Sequence, residues 1–108
     1  MPRILYTVRA TLPTPQWRSR YLSWLVPDHI AAVKAAGAET VRVVLPDRAT
    51  ESAPAVVETQ YAFPSRKAFD TYVLLHAPAL RADLLKKFPP EMGITSERQI
   101  AEIAAELD

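Results

Sequence analysis

Few side chains in this sequence could do chemistry: His29 and His76, the aromatic set Tyr6, Trp17, Tyr21, Trp24 and Tyr61, and two arginines, Arg81 and Arg98. An imidazole with an ordinary pKa of about 6.5 exchanges protons near neutrality, so His29 is a candidate general base or a hydrogen-bonding anchor at a pocket edge. Its competing role is to bond a backbone carbonyl or a partner chain and so fix the helix that carries it. His76 stands directly before a helix break, where capping of the preceding carbonyls is the expected role. A guanidinium fork suits a carboxylate or phosphate, which makes Arg81 and Arg98 candidate anion binders. The alternative for them is ion pairing with Asp70, Asp83 or Glu97. The aromatic residues could wall a cavity for a small apolar or aromatic ligand, or simply fill a core. The candidate pocket is therefore His29, Trp24, Trp17, Tyr21, Tyr61, His76 and Arg81, and the pattern alone makes none of them catalytic.

Other chemistries are excluded more firmly. The sequence has no cysteine, hence no thiol nucleophile, disulfide or Cys-based zinc site. Two histidines from distant segments do not have metal-ligand spacing. No Gly-x-Ser-x-Gly elbow and no glycine-rich phosphate loop is present, so no metal and no cofactor is expected. Thirteen basic residues are interspersed with twelve acidic ones, which gives no electrostatic reason to expect nucleic acid or an anionic membrane as partner. The short apolar run near the amino terminus is flanked by charge and too brief for a signal peptide, and no stretch reaches the roughly 20 apolar residues that span a bilayer. A cytoplasmic location is expected. With 49% hydrophobic and 23% charged residues over 108 positions, the chain reads as a single globular domain, 1–108.

The elements that must hold these residues follow from periodicity. Residues 3–12 alternate, with Ile4, Tyr6, Val8 and Ala10 on one side, as a half-buried strand requires. Residues 16–37 read as a long helix carrying Leu22, Val26 or Leu25, His29 and Val33 on one stripe, with Trp17, Tyr21 and Trp24 as an aromatic ridge beside it. Pro27 has no N–H for the carbonyl of Ser23, so this helix should kink or restart near Val26, and Gly37 should close it. A second strand is expected over 39–45. The polar segment 46–54, with proline at both ends, is a mobile hairpin tip or a flap. A third strand over 55–63 pairs antiparallel with the second. Ser65 caps a helix over 66–76 with Phe69, Tyr72, Val73 and His76 buried, and Pro78 opens another with Leu80, Leu84, Leu85 and Phe88. The last segment is ambiguous. A strand over 94–100 suits the order of elements, with the final residues helical or frayed.

The resulting order, βαββα(α)β, is the α+β ferredoxin-like arrangement, an antiparallel four-stranded sheet with helices on one face. Leu5, Val44 and Val56 then fall on the other face, and pairing of two sheets would cover them. Two patches carry a resemblance: residues 17–37, with both tryptophans, Asp28-His29-Ile30 and Ala36-Gly37, and the run His76-Ala77-Pro78-Ala79-Leu80-Arg81. Together they resemble a family of short bacterial domains of unknown function that looks like part of the dimeric α/β-barrel superfamily. That superfamily includes antibiotic-biosynthesis-type monooxygenases and muconolactone-isomerase-like enzymes. The resemblance implies the ferredoxin-like subunit and a homodimer joined through its sheet faces, and it brings no activity with it. The expected function is small-molecule binding or protein interaction. The alternative is a cofactor-free oxygenase or isomerase acting on a small aromatic or polyketide-like compound, with His29 as base and Tyr61 polarising an oxygen.

Overall fold

A computed structural model describes residues 2–107. Strand β1 (Ile4–Leu12) leads into α1 (Trp17–Trp24), a single π-turn (Leu25–His29) and α2 (Ile30–Ala35). Strands β2 (Thr40–Val44) and β3 (Ala55–Phe63) follow, then α3 (Arg66–Leu75), α4 (Ala77–Lys87) and β4 (Thr95–Glu102). The sheet is antiparallel in the order β2-β3-β1-β4, which is the ferredoxin-like topology. The molecule measures 43 × 32 × 20 Å, and the short dimension fits two layers. Helices therefore cover one sheet face only.

The alternation in β1 and β3 decides which side chains meet the helices. Ile4 pairs with Phe63, Tyr6 with Tyr61 and Ala10 with Val57. All six are buried, as a period of two residues demands. Ser65 caps α3 by accepting from the Ala68 N–H at 3.1 Å. Gly37 turns the chain out of α2 with φ of +131°, a conformation that L side chains rarely adopt.

Several sequence expectations are corrected. The break expected near Val26 is a π-turn joining two helices within 16–37, and of the two candidates for the buried stripe it buries Leu25 and leaves Val26 52% exposed. Val73 and Leu85 are also largely exposed, and His76 lies at the solvent-facing junction of α3 and α4. The buried faces of these helices are therefore narrower than their apolar spacing suggests. Helix α4 has no buried residue and rests on half-buried Ala77, Leu80 and Leu84. The terminal segment is a strand, displaced slightly from the expected bounds.

The uncovered face is not uniformly apolar. Leu5, Val44 and Val56 are half-buried towards its margins, while a polar band crosses its middle. In that band Arg42 donates to Gln60 Oε1 at 3.0 and 2.7 Å, Gln60 donates to Glu58 at 2.8 Å, and Arg9 pairs with Glu58 at 3.4 Å.

Candidate functional site

On the helix side the core falls into two clusters. One gathers Ile4, Tyr6, Val33, Tyr61, Phe63 and Phe69; the other gathers Leu12, Tyr21, Trp24, Leu25, Val57 and Phe88. Between them runs the sheet row in which Val8 pairs with Thr59 on one side and Arg98 on the other. Short side chains at Val8 and Thr59 leave the seam partly unfilled. A cavity of about 40 Å³ lies over this row, walled by Tyr6, Tyr21, Trp24, His29, Tyr61 and Tyr72 and bounded by Arg81, Leu84 and Arg98. Such a space holds a few water molecules or one small polar group, not a ring.

The π-turn shapes the wall. Trp24 and His29 are five positions apart, which on an ordinary α-helix sets side chains roughly 140° apart around the axis. The wider turn, in which the Ile30 N–H reaches back to the Leu25 carbonyl, brings them to one side. Their rings stack with centroids 4.7 Å apart at 26°. Pro27 is the sequence feature that accounts for this turn, because a proline in a regular helix crowds the carbonyl four residues earlier.

Both stacked rings carry a buried nitrogen without a partner among the described residues, Trp24 Nε1 and His29 Nδ1. A buried donor or acceptor left orphaned costs about 1–3 kcal/mol, so such a pair marks a place where a ligand or ordered water completes the bonding. Burial lowers the His29 pKa from its ordinary value; the nearby Asp83 charge opposes this and Arg98 adds to it. The imidazole is thus neutral at pH 7 and able to accept a proton. Burial pushes the Tyr21 and Tyr72 hydroxyls up to about 12 and Tyr61 higher still, so all three remain neutral donors near neutrality. At the mouth, Arg98 Nε donates to the Tyr6 hydroxyl at 2.9 Å.

Depression of the His29 pKa gives a test. The unfolded chain binds a proton below about pH 6.5 that the fold resists, so this group's share of stability is present above that pH and is lost as pH falls towards the lower folded value. Urea midpoints measured at about pH 7.5 and 5.5 should converge when His29→Gln is introduced. Equal pH slopes in both proteins would show that His29 is not desolvated.

Of the residues singled out from sequence, His29, Trp24, Tyr21, Tyr61 and Arg81 line one cavity, together with Tyr6 and Arg98. Trp17 and His76 do not line it. Trp17 packs at the edge of the second cluster with the Arg20 guanidinium 5.2 Å from its ring. Neither Arg81 nor Arg98 forms an ion pair with Asp70, Asp83 or Glu97; the ion pairs among the described residues belong to Arg3 and Arg9. Sequence reasoning missed Thr59 and Tyr72 as lining residues. Thr59 had a signal, since it is a polar residue on the inward side of an apolar strand.

A family model described as a domain of unknown function, DUF4286, matches residues 3–102. The chain belongs to the DUF4286 family. No curated protein matches this DUF4286 domain in sequence. Solved structures match its fold over nearly its whole length. A dimeric ferredoxin-like protein from an uncultured marine organism superposes with a TM-score of 0.70 at 13% identity, covering 99% of this chain and 100% of that one. A variant of SnoaB, a cofactor-independent oxygenase from Streptomyces nogalater, gives 0.68 at 12%, covering 99% and 98%. At these identities the likeness concerns the fold. Among the described residues no group of three or more metal-binding side chains occurs, and no helix is long and apolar enough to cross a membrane.

Proposed function

We propose that this DUF4286 domain is a homodimeric small-molecule-binding protein whose ligand enters the seam between the two core clusters. The observation that carries this reading is the pair of unpartnered ring nitrogens on Trp24 and His29 beside a cavity. A fold that only packs would satisfy them or replace them with apolar groups. The space is small, so a ligand larger than one polar group needs α4 to move. That helix buries no residue, and an element with so little buried surface opens at low free-energy cost. Dimerisation through the bare sheet face is supported by the two-layer shape and by the dimeric ferredoxin-like neighbour.

Native mass spectrometry of the purified protein, beside its absorption spectrum, tests both halves. A dimer carrying a discrete added mass is the expected result. A dimer that retains no mass and binds no added compound would favour an interaction module instead.

A second reading has its own support in His29, neutral and with Nδ1 unbonded, in a fold shared with a cofactor-independent oxygenase. Here His29 would take a proton from a small aromatic or polyketide-like substrate while the neutral Tyr61 hydroxyl polarises an oxygen. His29→Gln should then abolish turnover in a protein that still folds and dimerises. Turnover retained in that variant would end the catalytic reading.

A further inference from the structure

We infer that the ligand is a monocarboxylate with an apolar tail, its carboxylate held at the cavity mouth by Arg98 and Arg81 and its tail lying in the groove between α4 and β4. The inference rests on the binding reading above and names the ligand's class. Three observations carry it. First, the cavity does not end at its mouth: Arg81, Leu84 and Arg98 also border an outer groove of about 260 Å³, floored by Leu85, Phe88 and Ile94. The inner space fits a head group, and the outer one fits a short alkyl or aryl tail. Secondly, the two arginines at the junction lack any carboxylate partner among the described residues, although Asp83 is near enough for its charge to act on His29. Arg98 has spent one donor on Tyr6 and keeps the remaining arm of its fork. Thirdly, Trp24 lines the inner space, and its orphaned ring nitrogen, closed off until that space widens, can only donate, so what completes it must be an acceptor. A carboxylate supplies up to four acceptor positions in a plane that matches a guanidinium.

The groove is open for an occupant of this kind. Strand β4 is at the sheet edge, and the helices do not cover its inward side: Ser96, Arg98 and Ile100 are all exposed, Ile100 by 48%. Leu85, 47% exposed, adds to the apolar surface on the α4 side. A soluble organic acid with a tail of moderate length covers this surface without needing a membrane or a second protein.

The experiment is a tryptophan-fluorescence titration of the full chain with octanoate, with octanamide as the uncharged isostere and with acetate as the head group alone. Octanoate should bind saturably at one per protomer. Octanamide should bind about tenfold more weakly or worse, since a hydrogen bond to a charged group is worth at least that factor. Acetate should bind more weakly than octanoate because it leaves the groove empty. Arg98→Met should weaken octanoate about tenfold and leave octanamide unchanged, and Leu85→Asn should weaken both eight-carbon ligands while sparing acetate. Both positions are exposed, so the variants should fold, and circular dichroism confirms that before titration. Equal binding of acid and amide, with no effect of Arg98→Met, would overturn carboxylate recognition and leave the binding reading standing. No binding of any of the three, in a protein that retains a different compound in native mass spectrometry, would also overturn only this inference. No binding together with no retained mass would overturn both.

Discussion

Deleting Val26 should leave a protein with little or no cooperative unfolding transition and no ligand response at Trp24. Val26 is 52% exposed, so removing its side chain alone is a minor loss. Removing the residue is another matter, because the π-turn Leu25–His29 depends on one extra position in the helical path. Without it the segment must wind as an ordinary α-helix. Two consequences follow. Pro27 then lies inside a regular helix, where it costs about 3 kcal/mol. With α2 still docked through Val33, α1 is turned by about 100° and its buried side chains leave their sites. Trp24, Tyr21 and Phe88 pack together with ring centroids 5.4–5.7 Å apart. Losing one large aromatic from such a cluster costs about 3–5 kcal/mol, against a total stability of about 5–15 kcal/mol for a small domain. Adding Pro27→Ala to the deletion separates the two effects: it should recover the proline penalty and not the displaced aromatics. Urea denaturation followed by circular dichroism and tryptophan fluorescence reads both. A Val26 deletion that unfolds at the wild-type midpoint would show that the turn does not set the position of Trp24.

That turn also marks the limit of what the sequence discloses. The strands were legible because β1 and β3 each have one buried and one wetter side, and a period of two residues leaves no doubt about which is which. The Ser65 cap was legible for the same local reason. Pro27 announced a break, but not that the chain would add a residue to its turn instead of bending. The choice is made by Leu25, which fills the second cluster, and by Trp24, whose ring finds His29. Both are long-range packing outcomes. Likewise the apolar spacing of Val73 and Leu85 could not say that nearly half of each stays exposed. Helical periodicity reports a face, and only the arrangement of the other elements decides how wide a strip of it is covered. The candidate site shows the same division. The aromatic residues and His29 were visible as types, whereas their meeting over the Val8–Thr59 row required the register of the sheet.

Thr7→Arg should turn the proposed dimer into a folded monomer. Thr7 lies on the uncovered face of β1, paired with Gln60 on one side and Gln99 on the other. Because β1 and β3 are the inner strands, this position is close to the middle of the face. If two sheets meet there about a two-fold axis, each copy brings its own residue 7 near the axis, so one substitution introduces two like charges. Inside an interface two like charges meet without water, and although Glu58 and Glu97 lie beside position 7 they stand among Arg9 and Arg98 already, so the added pair costs several kcal/mol. The dissociation constant should rise by about a hundredfold or more. On a monomer the same side chain faces solvent, where a substitution usually changes stability by about 0.5 kcal/mol or less. Loss of assembly without loss of fold is therefore the expected signature, read by sedimentation velocity and thermal melting on the same sample. The competing surface is the end of α3, where Leu74 and Leu75 are 75% and 66% exposed. A dimer that survives Thr7→Arg and falls apart with Leu74→Glu would move the interface to that helix. It would also leave the polar band of Arg42, Gln60, Glu58 and Arg9 facing water, where its hydrogen bonds contribute little to stability. Buried between two sheets, the same band fixes how the copies register, because each of those polar groups must find its partner again.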